Sequence, residues 1–129
     1  MKILILGHGA VGSVLARLLK KEKTVKTVIS ADLHFKEEKK FGKMHHVKIN
    51  LTDKSQLSDI LEKHRPDLVI NASSPKFNSD ILDECAKAGI NYMDLAACWE
   101  ESPDKNACEK LVSGLHLICA GVIAEIPRL

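Results

Sequence analysis

The chain has 129 residues, 45% hydrophobic and 28% charged, the composition of one ordinary globular domain. A formal net charge of +2 is too small to mark a nucleic-acid binder. The lysines at 20–26 and 36–43 are interleaved with Glu22, Glu37 and Glu38, as on a solvated face. No apolar run reaches the ~18 residues that span a bilayer, and the N-terminus lacks the layout of a signal peptide. A cytoplasmic chain is therefore expected, with neither nucleic acid nor membrane as partner.

The first element is "KILIL", a continuous apolar run suited to a strand covered on both faces. "GHGAVG" follows, and then Val11, Val14, Leu15, Leu18 and Leu19 repeat at helical spacing. "VKTVIS" is β-branched and predicts a second strand. "HFKEEKKFG" is polar and short, at most a helical turn or two. "HHVKIN" predicts a third strand. Thr52 or Asp53 can cap the next helix, whose inner face is Leu57, Ile60 and Leu61. "PDLVINA" is a fourth strand. The helix after it turns Phe77, Ile81, Leu82 and Cys85 inward and stops at Gly89. "INYMDLA" is a fifth strand. Ser102 and Pro103 open a further helix that Gly114 ends, and "LHLICAG" is a sixth strand.

Strand and helix alternate throughout, which predicts an α/β, doubly wound parallel sheet of about six strands in the order 3-2-1-4-5-6. Val11, Leu15, Leu18, Val69, Ile70 and Ile118 are its expected core. The expected domain covers residues 1–120, and "VIAEIPRL" within 121–129 reads as the start of a linker. Cys85, Cys98, Cys108 and Cys119 form no C-x-x-C pair and are read as buried thiols.

The glycine turn leaves a strand, opens a helix and has an acidic residue, Asp32, 20 residues beyond Gly12. Gly7 permits the tight turn, Gly9 lets the backbone approach a pyrophosphate, and Gly12 lets the helix pack on the strand. The N–H groups of Ala10 and Val11 would meet the phosphates. His8 is expected to point outward from the turn. Asp32 can accept both ribose hydroxyls of NAD and repel a 2′-phosphate. His34, Lys36, Lys39 and Lys40 could gather around that phosphate instead, so NAD is the expected cofactor and NADP the alternative.

Asn50 or the backbone of Leu51, in "NLTD", would border the adenine. Ala72, Ser73 and Ser74, in "NASSP", end the fourth strand where a dinucleotide passes close to the backbone. A serine cap explains the same residues. Asp94 either positions a substrate group or caps the next segment, and Trp99 and Glu100 follow on the same loop. No residue is assigned a catalytic role. No Ser-His-Asp order, H-E-x-x-H or P-loop lysine is present, and no metal is expected.

The glycine turn, "NLTD", "DLVINASSP", "AKAGINYMDLA" and "AGVIAEIPRL" together resemble the N-terminal half of saccharopine dehydrogenase-like oxidoreductases. The resemblance implies a Rossmann domain for NAD or NADP. It also implies an intact protein that oxidises or reduces a carbon–nitrogen bond of an amino acid or related amine, and a possible homodimer. Asn50 stands where many relatives have Asp, and Ala124–Glu125 where they often have Pro-Gly. The substrate domain of such relatives would begin near Leu129, so this chain is expected to be inactive alone. A stand-alone regulatory NAD(H)-sensing module is the competing reading.

Overall fold

A computed structural model describes residues 1–95 and 116–117. The elements in chain order are β1 (Lys2–Leu6), α1 (Ala10–Leu19), β2 (Thr27–Asp32), β3 (Lys39–Phe41), β4 (Met44–Lys48), α2 (Lys54–His64), β5 (Leu68–Asn71), a 3-10 turn (Pro75–Phe77), α3 (Asn78–Ala88), β6 (Asn91–Asp94) and β7 (His116–Leu117). The sheet order is β3-β4-β2-β1-β5-β6-β7. All pairs are parallel except β3 with β4. Without β3, this is the order expected from the sequence. β1 lies centrally, between β2 and β5.

The extra strand is a correction. Lys39–Phe41, read as at most a helical turn or two, runs antiparallel to β4. Gly42, at a φ of 58°, closes the hairpin. A left-handed glycine in a short loop is what such hairpins require.

Side chains of the central strands alternate between two apolar layers. Leu4, Leu6, Ile29, Ala31, Val47 and Val69 face α2 and α3, where Leu57, Ile60, Leu61, Ile81, Leu82 and Cys85 close the layer. Phe77 packs against it, half-buried. Burial pushes the Cys85 thiol up to about 12, so this cysteine is inert filling. Ile3, Ile5, Val28, Met44 and Ile70 face α1.

α1 itself departs from expectation. Val69 and Ile70 are core and Leu15 is half-buried, but Val11 and Leu18 are 60% and 54% exposed, and Val14 is exposed too. The buried residues of α1 are Gly12 and Ala16, flanked by Leu15 and Leu19. The helix lies so close to the sheet that only small residues fit beneath it, and this rotates the larger apolar side chains outward. Ile118, the 102–114 helix, Cys98, Cys108, Cys119 and the boundary at 120–121 lie outside the described residues.

α2 is capped by Asp53, whose side chain accepts from the Ser55 N–H at 3.0 Å. It ends on Arg65 in the left-handed conformation, φ 44°. α3 ends on Gly89, φ 70°, as its sequence position suggests. Among the described residues, no helix is long and apolar enough to cross a membrane.

Three histidines sit half-buried around β4: His45 and His46 on the strand and His64 at the end of α2. Burial lowers the proton affinity of each. The neighbouring imidazoles and Lys39, Lys40 and Lys63 act in the same direction, while Glu38 opposes at His45 and His64. A lowered folded value means that the unfolded chain binds more protons once the pH drops below about 6.5, the ordinary histidine value. Their stabilisation is fully present above that pH and is lost as the pH falls through the lowered folded values. Urea unfolding should therefore show a lower midpoint at pH 5.5 than at pH 7.5. An equal or higher midpoint at pH 5.5 would contradict this.

Candidate functional site

The glycine turn lies at the carboxyl ends of β1, β2 and β5, between the two apolar layers. Gly7 has φ 99°, a conformation that side chains resist. A Cβ there would also stand 3.0 Å from Ala72 C and O and from Ser73 N. A Cβ on Gly12 would collide with the Gly7 carbonyl oxygen. These two glycines are demanded by the protein's own packing.

Gly9 is different. Its φ of −81° is ordinary, and none of the described residues lies within 4 Å of where its Cβ would be. Among the described residues, no neighbour explains its lack of a side chain. It is the N-cap of α1, and among the described residues no side chain caps that helix end. Helix geometry leaves the first N–H groups, including those of Ala10 and Val11, without intrahelical partners. The first turn carries no acidic residue. The result is an open backbone cradle with unspent donors and a positive dipole end, suited to an anion.

Asp32 ends β2 beside this cradle. Its Oδ2 accepts from the His8 N–H at 2.6 Å. Its Oδ1 accepts from the His34 N–H at 2.8 Å and from His34 Nδ1 at 2.9 Å. Burial pushes the carboxyl up, but the His34 and His8 N–H groups and the His34 ring together hold it below the ordinary carboxylate value. The His8 ring does not point outward. Its Nδ1 pairs with Ser30 Oγ at 2.7 Å, and the ring lies 5.0 Å from both Phe35 and His46.

Asn50 Oδ1 accepts from the Thr52 N–H at 3.1 Å and from the Thr52 hydroxyl at 2.6 Å, which fixes the "NLTD" turn. Leu51 is half-buried against the α2–α3 layer. Ala72 is packed on the α1 side of the sheet. Ser74 caps the 3-10 turn, accepting from the Lys76 N–H at 3.4 Å.

A buried polar chain that the sequence reading missed holds Ser73. Asn71 is 2% exposed, and its Oδ1 accepts from both the N–H and the hydroxyl of Ser73. Asn71 Nδ2 donates to Asn78 Oδ1 at 2.6 Å. The Tyr92 hydroxyl lies 3.3 Å from that oxygen and 3.1 Å from Asp94 Oδ2. Burial first, and Asp94 second, push Tyr92 well up, so it stays protonated as a donor. Asp94 is 1% exposed. It belongs to this internal network, and the segment that follows it lies outside the described residues. Trp99 and Glu100 lie outside the described residues.

Among the described residues, no group of three or more His, Cys, Asp and Glu side chains is arranged to hold a metal. A groove of about 450 Å³ between α2 and α3 is lined by Leu61, Arg65, Lys87 and Ile90. It lies by the amino ends of β5 and β6, the opposite edge from the glycine turn, and in parallel α/β sheets ligands bind at the carboxyl edge.

A parallel sheet with a central β1, a glycine turn on its carboxyl end and an acidic end to β2 defines a Rossmann-type dinucleotide-binding domain. Residues 3–115 match the saccharopine dehydrogenase NADP-binding domain, and the chain belongs to that family. It is 29% identical to a carboxynorspermidine synthase of Vibrio cholerae, an alignment spanning 73% of this chain and 26% of that protein. The fold is similar to apo saccharopine dehydrogenase (L-Glu forming) from Saccharomyces cerevisiae, with a TM-score of 0.69 and 17% identity, covering 93% of this chain and 27% of that one. It is also similar to the Bordetella bronchiseptica enzyme WbmG in complex with NAD, with a TM-score of 0.63 and 16% identity, covering 74% and 37%. The chain thus spans well under half the length of these proteins.

The glycines separate experimentally. Gly12→Ala should cost about 1–3 kcal/mol or more of stability, the range of overpacking. Gly9→Ala should cost under about 1 kcal/mol, the scale of an N-cap change, because its Cβ enters open space. Equal losses of thermal midpoint in the two variants would contradict this division.

Proposed function

We propose that this domain is the cofactor-holding part of an oxidoreductase acting on a carbon–nitrogen bond of an amino acid or related amine. The dinucleotide pyrophosphate lies on Gly7, Gly9, Ala10, Val11 and Gly12. Asp32 accepts the adenosine ribose diol. Asn50, through its amide nitrogen, and Leu51 border the adenine. Ala72, Ser73 and Ser74 flank the nicotinamide ribose. The observation that carries this reading is Gly9, whose missing side chain serves no contact among the described residues and leaves room for a ligand. The relatives named for saccharopine and carboxynorspermidine support an amine or amino-acid substrate.

NAD(H) is the preferred cofactor in this proposal, because two carboxylate oxygens match a diol and oppose a 2′-phosphate. The substrate and the groups that exchange protons with it are held by a second domain, and a cytoplasmic protein with a homodimeric assembly fits such an arrangement. A hydride transfer needs the reacting carbon held against the nicotinamide, with water excluded. The described residues form one wall of such a site.

Titration of the purified chain with NADH and NADPH tests the reading, with NADH expected to bind the tighter. Asp32→Ala should weaken NADH by about 1–3 kcal/mol, the scale of hydrogen bonds to a charged group. Failure of both dinucleotides to bind would overturn the proposal. Incubation of the chain with NAD and a panel of amino acids and amine adducts should give no NADH absorbance. Turnover of roughly 1 per second or faster would show that this chain completes the catalytic site unaided.

A further inference from the structure

Asp32 poses a conflict. A bare carboxylate at the end of β2 opposes the 2′-phosphate of NADP(H), yet the family is described by NADP binding. The groups around Asp32 offer a way out. Its Oδ1 is already occupied by the N–H and ring Nδ1 of His34. The His34 side chain is 92% exposed, so no packing fixes the ring there. Turning it away leaves Oδ1 with a backbone donor and room for a hydroxyl. Leaving it in place sets an imidazole over the carboxylate.

Lys36, Glu37 and Glu38 follow on the same loop, where Glu38 pairs with Lys63 and His45; the groups that β4, β3 and the glycine turn bring to this side are basic. Lys48 on β4 is in register with Asp32, which places both on the same face of the sheet. His46, two residues before Lys48, shares that face and feels the His8 ring and Lys39. His8, on the glycine turn, gives its backbone N–H to Asp32 while its ring turns to Ser30. Lys39 on β3 is opposite His46.

We propose that His34 determines dinucleotide specificity by switching Asp32 between two roles. With the ring turned aside, Asp32 accepts the ribose diol of NAD(H). With the ring on Asp32, the imidazolium offsets the carboxylate and, together with Lys48, meets the 2′-phosphate of NADP(H). The proposal rests on the dinucleotide reading above. A phosphate beside an imidazole favours the protonated ring, and histidine is the side chain that gains charge near neutrality.

Calorimetric titration with NADH and NADPH at pH 6 and pH 8 tests this on the unmodified chain, His34→Ala and His34→Lys. In the unmodified chain, affinity for NADPH relative to NADH should rise as the pH falls. His34→Ala should weaken NADPH at pH 6 by about tenfold or more, the loss of one charge-assisted hydrogen bond. NADH affinity should stay the same or rise, and the pH dependence of the ratio should flatten. His34→Lys should restore NADPH binding with little pH dependence in this range. The phosphate's own titration is common to all three proteins and cancels in the comparison. Equal loss of both dinucleotides in His34→Ala, or a ratio that keeps its pH dependence there, would overturn the role of His34. Binding of neither dinucleotide to the unmodified chain would overturn the domain assignment itself, and this inference with it.

Discussion

The start of α1 sits almost in contact with the end of β1, because Gly12 has no Cβ to strike the Gly7 carbonyl. Much else follows from that approach. It brings the helix dipole and its first N–H groups to the carboxyl edge of the sheet. It presses Gly7 against Ala72 and Ser73, so the β5 loop and the glycine turn form one surface. It puts the His8 N–H within 2.6 Å of Asp32. A single added methyl at Gly12 would push these parts apart together. The geometry of the candidate site is therefore a property of backbone packing, with side chains supplying only its outer contacts.

The strand–helix alternation was legible because the central strands β1, β2 and β5 are largely apolar and the helices between them are amphipathic. Leu57, Ile60, Leu61, Ile81, Leu82 and Cys85 all face inward as their spacing indicates. The orientation of α1 was not legible from periodicity alone. Val11, Val14 and Leu18 weigh heavily in any hydrophobic count, whereas Gly12 and Ala16 weigh little, yet the close approach selects the small residues. The signal was available in the glycine motif itself: a Gly12 needed for helix–strand contact must face the strand. The β3 hairpin was also readable, since a lone glycine at 42 between Phe41 and Lys43 is a turn signal. The run of charged residues before it concealed a strand that sits exposed at the sheet edge, where charges are expected.

The site residues divide in the same way. Asp32, Gly9 and the helix start were legible because motif spacing fixes backbone position. The chain from Ser73 through Asn71 and Asn78 to Tyr92 and Asp94 was not, because it joins residues of β5, α3 and β6 that no local pattern connects. Its effect is to leave few conformations open to Ser73. A buried carboxylate and a buried amide are costly unless their polar atoms are paired. The chain meets that need with partners that also hold the β5 loop against the glycine turn.

The described residues fill the two faces of the sheet unequally, and this bears on the chemistry. α2 and α3 pack side by side on one face. On the other, α1 is the only helix among the described residues. Between β2 and β4 the chain uses a short loop and the β3 hairpin where a doubly wound fold ordinarily places a helix. Rings fill the space instead: Phe35 stacks on His46 at 4.3 Å, Phe41 meets His46 edge-on at 4.8 Å, and His8 completes the group. A helix there would have covered the sheet with aliphatic side chains. The rings place the His46 imidazole two residues before Lys48, the register partner of Asp32, and Ser30 bonds the His8 ring. The basic surroundings of Asp32 are thus a consequence of how the fold closes a gap on its thinner side.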